Sequence, residues 1–139
     1  MMTMDEYQAG VAALVKLAQA GTGGGRAAAQ VILSAYNGQA FQLDITDLCV
    51  LDAKNYQAAL SVIRGRVELG TEPHNLIVDG DTIFGEIWDM WKRYSLENRH
   101  KDLCRECYGS GTESNEHGEV VGTCRLCGGT GLEEVGTCG

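Results

Sequence analysis

The sequence has no apolar run approaching the roughly 18 residues needed to cross a bilayer, and this excludes a membrane span. Basic charge is also scarce. Eleven Lys and Arg stand against nineteen Asp and Glu, a formal net charge of −8 in 139 residues. Non-specific affinity for nucleic acid depends on Lys and Arg displacing counterions, so direct binding to a phosphate backbone is not expected. The N-terminal stretch MMTMDEYQ carries acid where a signal peptide needs positive charge followed by apolar residues. The expected compartment is therefore the reducing cytoplasm of a bacterial host cell. Cysteines there serve more often as metal ligands or catalysts than as disulfides. Catalytic signatures are missing as well: no Gly-x-Ser-x-Gly, His-Glu-x-x-His or kinase-type motif occurs, and no enzyme is expected.

What is present is unevenly distributed. Residues 96–139 hold five of the six cysteines and nine of the nineteen glycines, but a single aromatic, Tyr108. A segment that short, with so little apolar bulk, needs a cross-link to fold. Residues 1–95 are rich in Ala, Val, Leu, Ile and aromatics. The pattern predicts a mostly helical, apolar-core domain over 1–95, a polar linker over 96–102, and a small cross-linked, cysteine-rich module over 103–139. The fold class is thus mainly α, with short extended connectors, plus a metal-pinned β-hairpin.

Within the first domain, Thr3 and Glu6 form a capping-box pattern. Met4, Tyr7, Val11, Leu14, Val15 and Ala18 follow at helical spacing, and Gly21 ends the helix. A second helix is predicted from about Arg26 to Tyr36, closed by Asn37-Gly38. Phe41, Leu43 and Ile45 alternate, which predicts a short extended piece. Asp52 caps a third helix with Tyr56, Ala59, Leu60, Ile63 and Val67 on one face, ending at Gly70. Leu76-Ile77-Val78 followed by Asp79-Gly80 predicts a brief strand and turn. A last helix, capped by Asp81 or Thr82, bears Ile83, Phe84, Ile87, Trp88, Trp91 and Tyr94.

Several residues of this domain invite a chemical reading. The run Gly21-Thr22-Gly23-Gly24-Gly25 before a helix suggests a phosphate loop, but no Gly-Lys-Ser or Gly-Lys-Thr follows, so a flexible linker is expected. Trp88 and Trp91, three apart on one helix face, read as core, with an interface hot spot as the alternative. His74 is expected to be a solvated loop residue, and Cys49, within Leu48-Cys49-Val50-Leu51, a small buried hydrophobe.

The strongest pattern lies in the second segment. Cys104-Arg-Glu-Cys107 and Cys124-Arg-Leu-Cys127 are two Cys-x-x-Cys pairs with sixteen residues between them. Each pair can supply two of the four thiolates that a tetrahedral zinc requires, and the gap suits a zinc ribbon. Gly109, Gly111, Gly128, Gly129 and Gly131 follow the pairs and allow backbone N–H groups to turn toward the sulfurs. Cys104, Cys107, Cys124 and Cys127 are therefore the expected ligands of one structural Zn2+. Iron suits the same donor set, and redox pairs or two disulfides are alternatives. Val121-Gly122-Thr123-Cys124 recurs as Val135-Gly136-Thr137-Cys138. Cys138 is expected to be an idle terminal residue, and His117 a hairpin-tip residue that displaces no cysteine.

The two segments Cys104-Arg-Glu-Cys107-Tyr-Gly109-Ser-Gly111 and Cys124-Arg-Leu-Cys127-Gly-Gly129-Thr-Gly131 resemble the Cys-x-x-Cys-x-Gly-x-Gly repeats of the DnaJ cysteine-rich domain. That domain has four repeats and two zincs, whereas this chain has two repeats, enough for one zinc. The His-Pro-Asp tripeptide of the J-domain is absent, so the activity of that domain is not implied. The resemblance implies an extended zinc-pinned hairpin that contacts other proteins. Residues Leu33-Ser-Ala-Tyr36-Asn37-Gly38, Phe41, Leu43-Asp44-Ile-Thr46-Asp47-Leu48 and Leu51-Asp52 resemble a family of short bacterial, phage and plasmid proteins of unknown function, over roughly residues 20–92. This implies an origin on a mobile element and supplies no activity.

Together these readings predict a non-enzymatic phage or plasmid protein that engages and inhibits a host protein complex with a basic surface. Its size and charge look like those of an anti-CRISPR protein, which would make a CRISPR effector the target. Two other classes stay open. A nucleic-acid-associated zinc adaptor would rely on the basic residues Lys92, Arg93, Arg99, Lys101 and Arg105. A chaperone-like or redox accessory would use the cysteines.

Overall fold

The computed structural model describes residues 2–98 and 101–133. The chain divides into two compact units, Met1–Leu96 and Glu97–Gly139. The architecture is mainly helical, with a small set of antiparallel strands in the second unit. Among the described residues, no helix is long and apolar enough to cross a membrane.

In the first unit, α1 (Met4–Gln19) starts at a complete capping box. Thr3 Oγ1 accepts from Glu6 N–H at 3.2 Å, and the Glu6 carboxylate accepts from Thr3 N–H at 3.3 Å. Met2, just ahead of the cap, and Tyr7, four residues into the helix, both enter the core, as in a hydrophobic staple. The buried stripe runs through Tyr7, Val11, Leu14, Val15 and Ala18, while Met4, expected on it, is exposed because Met2 takes the core position instead.

α2 spans Gly23–Tyr36, with Thr22 as N-cap accepting from Gly25 N–H at 3.2 Å. The glycine run is therefore not a flexible linker: three of its residues form the first helical turn. Gly25 is required for close approach, because a Cβ there would lie 2.9 Å from Leu17 O and 3.2 Å from the Trp91 ring.

The alternating Phe41, Leu43 and Ile45 form no strand. Phe41 is buried, but Ile45 is 76% exposed and opens a 3₁₀ turn over Ile45–Val50. Alternation needs a partner ladder to bond its backbone, and among the described residues no strand pairs with this segment. The 3₁₀ geometry also corrects the expectation for Cys49. Residues three apart eclipse each other in such a turn, so Leu48 and Leu51 pack on the core while Cys49 is exposed.

α3 (Ala53–Leu69) is capped by Asp52, whose Oδ1 accepts from Asn55 N–H at 2.8 Å, and ends at Gly70 with φ 69°. Its inner face is Ala59, Val62 and Gly65; Tyr56 and Val67, expected inside, are exposed. Small residues decide this rotation. A Cβ on Gly10 of α1 would lie 2.9 Å from Ala58 O, and a Cβ on Gly65 would collide with the Tyr7 ring. The two helices approach most closely where side chains are missing, and that fixes which face of α3 turns inward.

Leu76-Ile77-Val78 is likewise no strand. Pro73–Leu76 is a 3₁₀ turn and Val78 is 84% exposed. α4 (Gly80–Trp91) begins one to two residues before the expected caps, after Asp79 in the left-handed region with φ 56°. A Cβ on Gly80 would collide with the His74 carbonyl, so the turn and the helix start are locked together. Both tryptophans belong to the core. Trp88 meets Phe41 edge-on at 4.8 Å, and Trp91 Nε1–H donates to Ala18 O at 2.9 Å. A short 3₁₀ turn, Lys92–Tyr94, follows.

In the second unit, β1 (Asp102–Leu103) pairs with β4 (Leu132–Glu133), and β2 (Thr112–Ser114) pairs with β3 (Val120–Thr123), both antiparallel. The β2–β3 connection is closed by Asn115, whose Oδ1 accepts from His117 N–H at 2.9 Å and Glu119 N–H at 3.0 Å.

Candidate metal centre

Each Cys-x-x-Cys pair occupies a tight turn between two of the short strands. Tyr108 N–H donates to Cys104 O at 2.8 Å in the first, and Gly128 N–H donates to Cys124 O at 2.9 Å in the second. The next residues must then reverse into the left-handed region. Tyr108, Gly109 and Gly111 have φ of 54°, 97° and 74°; Gly128, Gly129 and Gly131 have 66°, 94° and 76°. The two turns are copies offset by 20 residues. They brace each other, since Cys104 N–H donates to Gly131 O at 2.9 Å and Cys124 N–H to Gly111 O at 3.0 Å. Glycine is needed at 111 and 131 for space as well as for φ. A Cβ at either would lie 2.5 Å from the carbonyl oxygen of Gly129 or Gly109 in the opposite turn.

This mutual embrace gathers four sulfurs. The Sγ atoms of Cys104, Cys107, Cys124 and Cys127 all lie within 4.8 Å of one another. Cys104 to Cys124 and Cys107 to Cys127 are each 3.7 Å. Four thiolates at about 2.3 Å from a tetrahedral ion stand about 3.8 Å apart, so the cluster has the dimensions of a zinc–sulfur tetrahedron. The thiols are not joined as disulfides. The donor set is all sulfur, which suits zinc or iron rather than a hard cation such as Mg2+.

The backbone favours thiolate at two of the four. Burial raises Cys107, but the N–H groups of Gly111 and Gly109 outweigh it and bring the thiol below its usual range. Gly111 N lies 3.3 Å from Cys107 Sγ. Cys127 repeats the arrangement. Burial works against its charge, and the N–H groups of Gly131 and Gly129 together with the Cys124 and Cys107 thiols lower it to about 6. The amide of Cys107 draws Cys104 down, but burial and the thiols of Cys107 and Cys124 leave it raised to about 11. Backbone amides thus favour the thiolate at one cysteine of each pair, and a bound metal would supply the charge that draws off the remaining protons.

The other singled-out residues are not members of this cluster. Cys49 is exposed in the first unit. His117 sits at the hairpin tip, 73% exposed and 3.9 Å from the Glu116 carboxylate. His74 is not a solvated loop residue. Its ring packs edge-on against Tyr36 at 5.0 Å, between the carboxylates of Glu72 and Asp81. Its neighbourhood of turn residues gave no sign of that, because Tyr36 and Phe84 come from distant helices. Cys138 and its Val135-Gly136-Thr137 repeat lie outside the described residues, as does Arg99 of the basic cluster. The mutual brace through Cys104 N–H and Cys124 N–H was not foreseen from the spacing, although the twin glycine patterns are its signal.

No curated protein and no solved structure matches the chain significantly. A match to a family of unknown function, DUF7673, covers residues 8–92 and so falls entirely within the helical unit, leaving the four cysteines outside it. With more than half of its length matched, the chain belongs to the DUF7673 family.

Proposed function

We propose that the protein is a non-enzymatic binder that carries one structural Zn2+ in its second unit and engages a basic surface on a host protein complex. The single observation that carries this reading is the closed ligand set. Four sulfurs at tetrahedral spacing fill the coordination sphere of zinc and leave no position for water or substrate. Such a site stabilises a fold rather than performing chemistry. The charge indicates the partner class. The chain stands at −8, and four thiolates around one Zn2+ add −2 in place of four neutral thiols. An acidic protein of this kind is steered toward basic surfaces.

The context we favour is the cytoplasm of a bacterium carrying a phage or plasmid, with a CRISPR effector as the host complex. Effectors hold nucleic acid in positively charged channels, which a compact acidic protein can occupy. The resemblance of the cysteine turns to DnaJ-type repeats supports a module that touches proteins. Two experiments test the reading. Metal analysis of the purified chain is expected to give one zinc per chain; neither zinc nor iron would return the cysteines to redox chemistry. Co-expression with a CRISPR effector is expected to give a co-purifying complex that dissociates in salt and cleaves target DNA poorly. Unchanged cleavage without co-purification would remove the counter-defence role, and salt-sensitive binding to a random duplex would favour the zinc adaptor.

A further inference from the structure

A cleft of about 590 Å³ opens in the helical unit and is lined by Tyr36, Asn37, Glu72, His74, Phe84, Gly85 and Trp88. That volume falls in the range of ligand-binding concavities. Three of its features are not explained by folding.

The first is Gly85. It sits inside α4, where glycine is among the poorest helix formers, yet a Cβ built there meets nothing within 4 Å. No packing inside the chain calls for its small size, and the missing side chain leaves that wall of the cleft open. The second is His74. Its Nδ1 is buried without a hydrogen-bond partner. Glu72 Oε2, at 3.9 Å, is beyond bonding range. Nε2 lies 3.4 Å from Asp81 Oδ1, so carboxylates stand on both sides of the ring. The third is the ring arrangement. Tyr36 stands at 81° to His74 and at 83° to Trp88, so the rings form steep walls instead of a stack, above a fully buried Phe84.

Aromatic rings attract cations through their π faces, and the carboxylates of Glu72 and Asp81 flank His74, although Asn37, Tyr36 and Trp88 also bring donors to the lining. Arg66 is the nearby positive charge, and it is already committed. Nη2 holds Glu72 Oε1 at 3.3 Å, while Nε and Nη1 donate to the carbonyls of Ala35 and Gly70. Glu72 is thereby fixed with Oε2 toward the His74 side, and the Asp81 carboxylate stands on the far side of the imidazole. A ligand suited to aromatic rings and carboxylates together is flat, positively charged and rich in N–H donors. Guanidinium meets all three conditions, stacking on aromatic rings while donating to several acceptors at once. We propose that the cleft receives the guanidinium group of an arginine side chain presented by the basic partner protein. The identification of the carrier as a protein rests on the proposed function; the cation chemistry rests on the cleft alone.

The test titrates N-acetyl-arginine methylamide, a mimic of chain-borne arginine, into the full-length zinc-loaded chain while following the Trp88 indole N–H resonance. A saturable shift is expected, about tenfold weaker with the neutral citrulline analogue. Gly85→Leu fills the open wall. It is expected to keep the helical circular dichroism with an equal or higher melting temperature while abolishing the shift, and Glu72→Gln should weaken it. An equal response to citrulline, or an undiminished shift in Gly85→Leu, would overturn the site. Tighter binding of free arginine than of the blocked probe would overturn the protein-borne source. A Gly85→Leu chain that still captures the host complex leaves the proposed function standing without the cleft. A chain that binds the probe but captures no basic partner leaves the cleft standing without that function.

Discussion

The two units reach a fixed structure by opposite means. In the helical unit sixteen buried residues, among them Tyr7, Leu14, Ile32, Phe41 and Phe84, form one apolar cluster. In the second unit the buried positions, among the described residues, are Cys104, Gly111, Cys124, Gly131 and Leu132. One of these is a sizeable hydrophobe. Tyr108, the single aromatic there, is 81% exposed and contributes no core. The helical unit removes oil from water; the second gathers sulfur. The difference shows that one chain can carry both a well-packed segment and one with almost no hydrophobic content, provided that backbone geometry presents a complete ligand set. It also means that the two parts should respond to different insults.

The largest contrast should come from metal removal. Binding of structural zinc contributes about 10–16 kcal/mol in small zinc-folded peptides, far more than the second unit can gain from burial. Chelation, or Cys104→Ser with Cys124→Ser, is expected to collapse the amide dispersion of residues 102–133 in NMR spectra. The far-UV helical signal should persist. Loss of both signals together would show that the units are not independently stabilised.

Phe84→Ala tests the other side. Removing a fully buried ring costs about 3–5 kcal/mol, so the melting temperature of the helical signal should fall steeply while the zinc content is unchanged. Zinc loss in that variant would contradict the division of labour.

Gly111→Ala is a smaller perturbation of the metal side. It places a Cβ 2.5 Å from Gly129 O at a residue with φ 74°, and it disturbs the amide that bonds Cys107 Sγ. A loss of about 10- to 100-fold in zinc affinity is expected from competition with a chromophoric chelator, because partners that orient the ligands carry effects of that size.

The smallest effect concerns pH. Burial of Tyr7 pushes its hydroxyl up to about 12 from 10.0; its O–H donates to Thr71 O at 2.6 Å. A group raised in the folded state stabilises fully below its unfolded value, and that contribution fades as pH rises through the folded value. The helical unit should therefore lose stability between about pH 10 and 12. Tyr7→Phe should flatten that decline while costing about 1 kcal/mol at neutral pH for the lost hydrogen bond. Denaturant titrations at a series of pH values would read both effects.

How much of this was legible in the sequence depends on the range of the forces involved. The N-caps at Thr3 and Asp52 and the stop at Gly70 are set within four residues, and they appear in the structure as the sequence implies. The mainly helical architecture follows from apolar spacing of the same short range. Features decided by distant neighbours were not legible. The inner face of α3 is chosen by Tyr7 and Gly10 of another helix. The extended pieces expected at Phe41 and at Leu76 fail for lack of a partner strand, and Cys49 is turned outward by a 3₁₀ turn that an apolar run does not announce. In the metal centre, the cysteine and glycine spacing displays the two turns one at a time. Their mutual bracing is a long-range contact and became visible only in three dimensions.

That bracing has a consequence for chain connectivity. Asp102 stands opposite Glu133 and Leu103 opposite Leu132, so the entry and exit of the second unit are neighbours on one ladder. The connection at its other end, residues 115–119, is an exposed turn held by Asn115. Topologically the unit is close to a ring whose two halves are interchangeable. A circular permutant that joins 133 to 102 through a short linker and opens the chain at 116–117 would present the cysteine turns in reverse order, with the same four sulfurs converging on the same point.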